Sequence, residues 1–123
     1  MLQVEMVTGK ATVVCAAKGN LDASTATTFR GAIALCLGGP GLIIDLSEMR
    51  FIDGSGLTAL VGAIRRAQDQ RTQVAVVAPT GSIRDVLDEA GLDAIVSVLE
   101  TIDQALAELD DDVGALLLTE GFR

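Results

Sequence analysis

Histidine is absent from this chain of 123 residues, and so are tryptophan and tyrosine. Without an imidazole the chain lacks the usual general base near neutral pH, which argues against a Ser-His-Asp hydrolase. Gly54-Ser55-Gly56 also lacks the glycine spacing of a nucleophile elbow. Aromatic residues are limited to Phe29, Phe51 and Phe122, so an aliphatic core of Val, Ile, Leu and Ala is required. Positive charge is scarce: 9 Lys and Arg stand against 17 Asp and Glu, for a net charge of −8. Such a surface repels nucleic acid and anionic lipid, which excludes direct DNA binding as the expected role. No apolar run approaches the roughly 20 residues needed to span a bilayer. Met1-Leu2-Gln3-Val4-Glu5 has neither the basic region nor the apolar stretch of a signal peptide, and the chain reads as cytoplasmic with no membrane insertion.

Cofactor motifs are missing as well. The order Gly-x4-Gly-Lys-Ser/Thr of a phosphate loop does not occur around Gly9-Lys10 or the other glycines, and there is no phosphoacceptor-aspartate cluster of a two-component receiver. Cys15 and Cys36 have no metal-ligand spacing, so they read as buried small hydrophobes, with a disulfide or redox role as the alternative. No cofactor and no metal are expected, and the chain reads as a non-enzyme.

What is present is half hydrophobic, with a length suited to one domain around a single core. Strand patterns cover Val4 to Val7, Thr12 to Ala17, Leu42 to Leu46, Val74 to Ala78 and Ala94 to Val98. Helical stripes alternate with the later strands. The first is Ala26, Phe29, Ile33, Cys36 and Leu37, with Asp22 as a candidate cap. The second begins at Ser55 and runs to about Arg71, with Leu57, Leu60, Val61 and Ile64 on one face. Ile83, Val86, Leu87 and Ala90 make the third, with Ser82 as its cap, and Thr101 with Gln104 opens the fourth as a capping box. This alternation predicts an α/β fold with a mixed, mainly parallel sheet of about five strands covered by about four helices. Residues 1–109 form the expected domain. Residues 110–123 are an acidic and apolar extension that either continues the last helix or serves a partner.

The most informative segment is Leu42-Ile43-Ile44-Asp45-Leu46-Ser47, a short linker, then Asp53-Gly54-Ser55-Gly56-Leu57. A buried strand leads to a hydroxyl between two glycines at a helix start. Backbone N–H groups there are unpaired and the helix dipole is positive, so a phosphate is well tolerated. A plain helix N-cap would use the same placement, and this segment alone leaves both roles open. Asp45 and Asp53 read as local hydrogen-bonding groups rather than metal ligands.

Taken together, the segments decide more. Asp45-x-Ser47 with Asp53-Gly54-Ser55-Gly56-Leu57 resembles the signature of STAS-domain anti-sigma factor antagonists. Gly19-Asn20-Leu21-Asp22 with Thr25-Ala26 is similar to that family's Gly-Glu-Leu-Asp segment. Leu87 to Leu92 and Thr101 to Leu106 resemble two further elements in the right order, so the likeness spans about residues 4 to 109. It implies a STAS fold whose first strand is an antiparallel edge, and Ser55 as phosphoacceptor. It also implies Asp22 as a contact near Ser55, with Asn20, Asp53, Gly54, Gly56 and Leu57 around it. Gly54 stands where the family often has Ser or Thr, which removes a competing hydroxyl. Asn20 replaces the family's Glu and removes one charge. The partners implied are an anti-sigma factor of the histidine-kinase-like ATPase fold and a serine phosphatase. The implied role is to bind the anti-sigma factor when unphosphorylated and to be released on phosphorylation of Ser55, regulating sigma-factor-dependent transcription. The rival reading is a scaffold or transporter-associated STAS module without a phospho-switch.

Overall fold

A computed structural model describes residues 1–9 and 11–109. Six strands and four helices follow in the order β1 (Leu2–Thr8), β2 (Thr12–Leu21), α1 (Ala26–Ala34), β3 (Gly41–Asp45), β4 (Met49–Ile52), α2 (Gly54–Asp69), β5 (Gln73–Val77), α3 (Ser82–Glu89), β6 (Ser97–Leu99) and α4, over residues 102–109. A short 3-10 turn, Leu92–Ala94, precedes β6. The sheet order is β1-β2-β3-β5-β6, with β1 antiparallel to β2 and every other pairing parallel. This is the mixed, mainly parallel α/β sheet expected from the alternation of strands and helices, with β1 as its antiparallel edge.

Side-chain alternation sorts the sheet into two faces. Leu42 and Ile44 of β3 point into the main core with Phe29 and Ile33 of α1, Leu60 and Ile64 of α2, and Leu87 of α3. Ile43, between them, points the other way and packs with Ala75 and Val77 of β5 and with Ala105 and Leu109 of α4. A strand buried on both faces reads as an unbroken apolar run, which is why Leu42-Ile43-Ile44 shows no polar alternation.

Several expected boundaries move. Ala94, the expected start of the last strand, instead closes the 3-10 turn Leu92–Ala94, and that strand is only Ser97–Leu99. Asp22 does not cap α1. The N-cap is Thr25, while the Asp22 carboxylate accepts from the backbone N–H of Ser24 at 2.9 Å in its own turn. The cap of α3 is Gly81, with Ser82 the first helical residue. Thr101 does cap α4, accepting from the Gln104 N–H at 3.1 Å; the Gln104 side chain reaches back to the N–H of Glu100 at 2.9 Å. The extension of residues 110–123 lies outside the described residues.

Cys15 and Cys36 are both free and buried in the main core. Burial, together with the neighbouring Cys36 thiol, pushes Cys15 up to about 12, and burial also raises Cys36. Both therefore stay as thiols at neutral pH.

The end of α2 carries backbone strain. Thr72 N–H bonds the Ala67 carbonyl and Arg71 N–H the Gln68 carbonyl, both at 2.9 Å, which closes a Schellman motif. Its left-handed position falls on Arg71, at φ 62°, where a side chain carries a steric cost that glycine avoids. Arg71→Gly is expected to raise stability by about 0.5–1 kcal/mol, the strain relief outweighing the added freedom of the unfolded chain. Urea unfolding checks it: the midpoint should rise at an unchanged slope, and an unchanged or lower midpoint would refute the strain.

The start of α2 is equally constrained. A Cβ on Gly56 would lie 2.1 Å from the carbonyl oxygen of Leu21 and 2.8 Å from its carbon, whereas one on Gly54 would meet nothing within 4 Å. Backbone cannot move aside as a side-chain tip can, so Gly56→Ala is expected to cost about 2–3 kcal/mol, at the upper end of overpacking. Gly54→Ala should stay within about 0.5 kcal/mol of the wild type. Parallel denaturant melts of the two variants decide this, and equal effects would contradict the close approach.

Candidate functional site

Ser55 sits where two strands and a helix meet. Leu21, the last residue of β2, and Ile52, the last of β4, are register partners in a parallel pair. Asp22 and Asp53 therefore leave the sheet side by side at its carboxyl edge. The Asp53 N–H donates to the Leu21 carbonyl at 3.3 Å, which ties the second segment to the first just before α2 starts. Asp53 is the N-cap: its carboxylate accepts from the Gly56 N–H at 2.9 Å, and its carbonyl accepts from the Leu57 N–H at 2.8 Å. The capping role that Ser55 alone could have filled thus belongs to Asp53. Ser55 is the second residue of α2 and is exposed. The next hydroxyl, on Thr58, is committed to the Gly54 carbonyl at 3.0 Å.

The floor under Ser55 is set by small residues. Gly56 is buried against the Leu21 backbone, so the first turn of α2 lies directly on the end of β2. Leu57, half-buried, packs against the main core and fixes the rotation of the helix. Gly54 is exposed, and a Cβ there would meet nothing within 4 Å.

The opposing turn is equally ordered. Asp22 accepts from the Ser24 hydroxyl at 2.6 Å, and this bond above all holds its carboxyl below the usual range. Thr25 donates its hydroxyl to the Asn20 carbonyl at 2.9 Å and accepts from the Asp22 N–H at 3.0 Å. Asn20 also lines a surface cleft of about 360 Å³ with Met1, Gln3, Lys18, Glu48 and Arg50. Lys18 there is paired with Glu48 at 3.1 Å and Glu5 at 3.6 Å. Ser55, Asp53, Gly54, Gly56 and Leu57 thus form one turn of chain, with Asp22 and Asn20 on the adjoining strand end.

The capping role of Thr25 and the anchoring role of the Leu21 carbonyl are not written in the motif that holds both residues, although the Asp22-x-x-Thr25 spacing carries the first as an N-terminal turn signal. Strand β4 was missed too, since four residues with Met49 and Ile52 buried and Arg50 and Phe51 exposed show neither period. Phe51, 49 % exposed on that strand, is an aromatic surface close to the turn of Ser55. Asp45 accepts from the Ser47 N–H at 3.0 Å, the local bond expected of it. Among the described residues no three His, Cys, Asp or Glu side chains gather to hold a metal, and no helix is long and apolar enough to cross a membrane.

Known structures share this fold. An anti-sigma factor antagonist from Mycobacterium paratuberculosis is 25% identical, with 89% of this chain and 95% of that one covered and a TM-score of 0.82. SpoIIAA of Bacillus, solved in its phosphorylated form, is 24% identical over 89% of this chain and 99% of its own, with a TM-score of 0.64. The STAS domain of a SulP transporter from Vibrio cholerae, 20% identical, shares the fold with a TM-score of 0.73 over 89% of this chain and 88% of that one. The STAS domain matches residues 3–105, most of the chain, and this chain belongs to the STAS domain family.

Proposed function

We propose that the chain is an anti-sigma factor antagonist whose unphosphorylated form binds an anti-sigma factor kinase and whose phosphorylation at Ser55 releases it. The observation that carries the reading is an exposed hydroxyl on the first turn of α2, held on a floor of backbone. SpoIIAA has been solved in unphosphorylated and phosphorylated forms, and the proposal brings that alternation to Ser55. The partner is an ATPase of the histidine-kinase-like fold that uses Mg-ATP to modify the residue it docks against, and a serine phosphatase restores the hydroxyl. The chain itself acts as a binding module and performs no turnover.

The physics of the switch is local. A phosphate on Ser55 adds about −1.5 to −2 charges and three acceptor oxygens. The N-terminus of α2 offsets part of that charge, so the fold persists. Asp53 caps the same turn and Asp22 stands on the neighbouring strand end, in a chain of net charge −8. A partner fitted to the bare hydroxyl would meet a dianion in an already negative field. Losing about 3 kcal/mol at that interface lowers affinity more than a hundredfold.

The likeness to the SulP transporter domain favours a second reading, in which the same surface serves a membrane complex and Ser55 is never modified. Incubation with the cognate kinase and Mg-ATP separates the two. One phosphate, mapped to the peptide holding Ser55, is the expected result by intact mass and fragment analysis. Phosphate on Ser24, Ser47 or Thr58 would overturn the assignment, and no phosphate at all would favour the transporter-associated module. Ser55→Ala should still bind the kinase but should not be released by ATP; release of this variant would rule out Ser55 as the switch.

A further inference from the structure

Cys15 and Cys36, far apart in sequence, meet a third sulfur in the fold. Met6 of β1 and Cys15 of β2 are register partners in the antiparallel ladder, so their side chains stand on the same face. That face is the one covered by α1, and just beyond α1 the Cys36 thiol lies 3.3 Å from the Met6 thioether. Three soft donors thus converge from β1, β2 and the turn after α1. We propose that Met6, Cys15 and Cys36 form a site for a monovalent soft cation, cuprous copper, held by two thiolates and one thioether.

The donor set selects that ion. Thiolate and thioether ligands favour Cu(I), which is satisfied by two or three of them, whereas zinc, though it also takes thiolate, is held in structural sites by four ligands. The chain has no histidine, and among the described residues no carboxylate or further thiol joins the two cysteines. Taking the ~2.3 Å of a zinc–thiolate bond as a guide, sulfurs around a trigonal ion sit about 4 Å apart. Met6 and Cys36 need only move apart by a fraction of an ångström from 3.3 Å, which an unbranched methionine with three rotatable bonds accommodates. Access is built in as well: Met6 is 45 % exposed on the edge strand, over thiols that are 0 % and 3 % exposed. On binding, two S–H bonds break, two Cu–S bonds to thiolate form, and two protons leave to solvent. The thioether adds its lone pair with no proton, and copper stays cuprous throughout.

The reduced full chain, kept free of oxygen, is titrated with cuprous ion against the coloured chelator bicinchoninate. One copper per chain should be retained in excess glutathione, and X-ray absorption should show three sulfur neighbours. Cys15→Ala and Cys36→Ala should each lose the copper while their metal-free thermal midpoints report whether the fold survives. Met6→Leu alters a half-exposed side chain of similar size, so it folds whatever the cysteine variants do, and its retention should fall by tenfold or more. Zinc offered in the same way should wash out. Wild-type protein that surrenders its copper to glutathione would overturn the proposal, and so would copper bound equally well by Met6→Leu or zinc held as firmly as copper.

Discussion

The site depends on a single close approach, that of Gly56 to the carbonyl of Leu21. With a Cβ at Gly56 only 2.1 Å from that oxygen, the first turn of α2 could not rest on the end of β2. The Asp53 N–H could then no longer reach the same carbonyl, and the two strand ends that carry Asp22 and Asp53 would lose their common anchor. Everything placed around Ser55 follows from this contact. The helix start is fixed in height by Gly56, in rotation by Leu57 and in its capping by Asp53. Ser55 needs no partner of its own for its position to be defined.

That division of labour suits a switch. A serine that capped its own helix would lose a stabilising bond on modification, and phosphorylation would weaken the fold together with the interface. Here the cap is a carboxylate one residue before the helix, which leaves the Ser55 hydroxyl outside the capping bonds. Charge added at this point falls on the positive end of a 16-residue helix. In the proposed switch the acidic surroundings would act on the incoming partner rather than on the domain.

Much of this was legible in the residues. The apolar run Leu42 to Ile44 announced a strand buried on both faces, and the helical stripes around Phe29, Leu60 and Leu87 announced the layer above it. Ser55 stood out because glycines flanked it after a strand. What the sequence concealed were features made by tertiary contact. Strand β4 is too short to show a period and exists because it pairs with Gly19 to Leu21 of β2. Thr25 rather than Asp22 starts α1, since the Asp22 carboxylate is taken by its own turn. The meeting of Met6, Cys15 and Cys36 was invisible for the same reason, being a product of the β1–β2 register and of the turn after α1.

In the proposed switch, one modified hydroxyl changes the interface and leaves the fold intact. This is tested most directly by titrating unmodified and Ser55-phosphorylated protein, side by side, into the purified anti-sigma factor in a calorimeter, with thermal melts of both forms. The account requires affinity to fall by more than about a hundredfold, equivalent to about 3 kcal/mol, between two forms that melt within a few degrees of one another. Equal affinities, or a phosphorylated form that binds weakly only because it has unfolded, would contradict it.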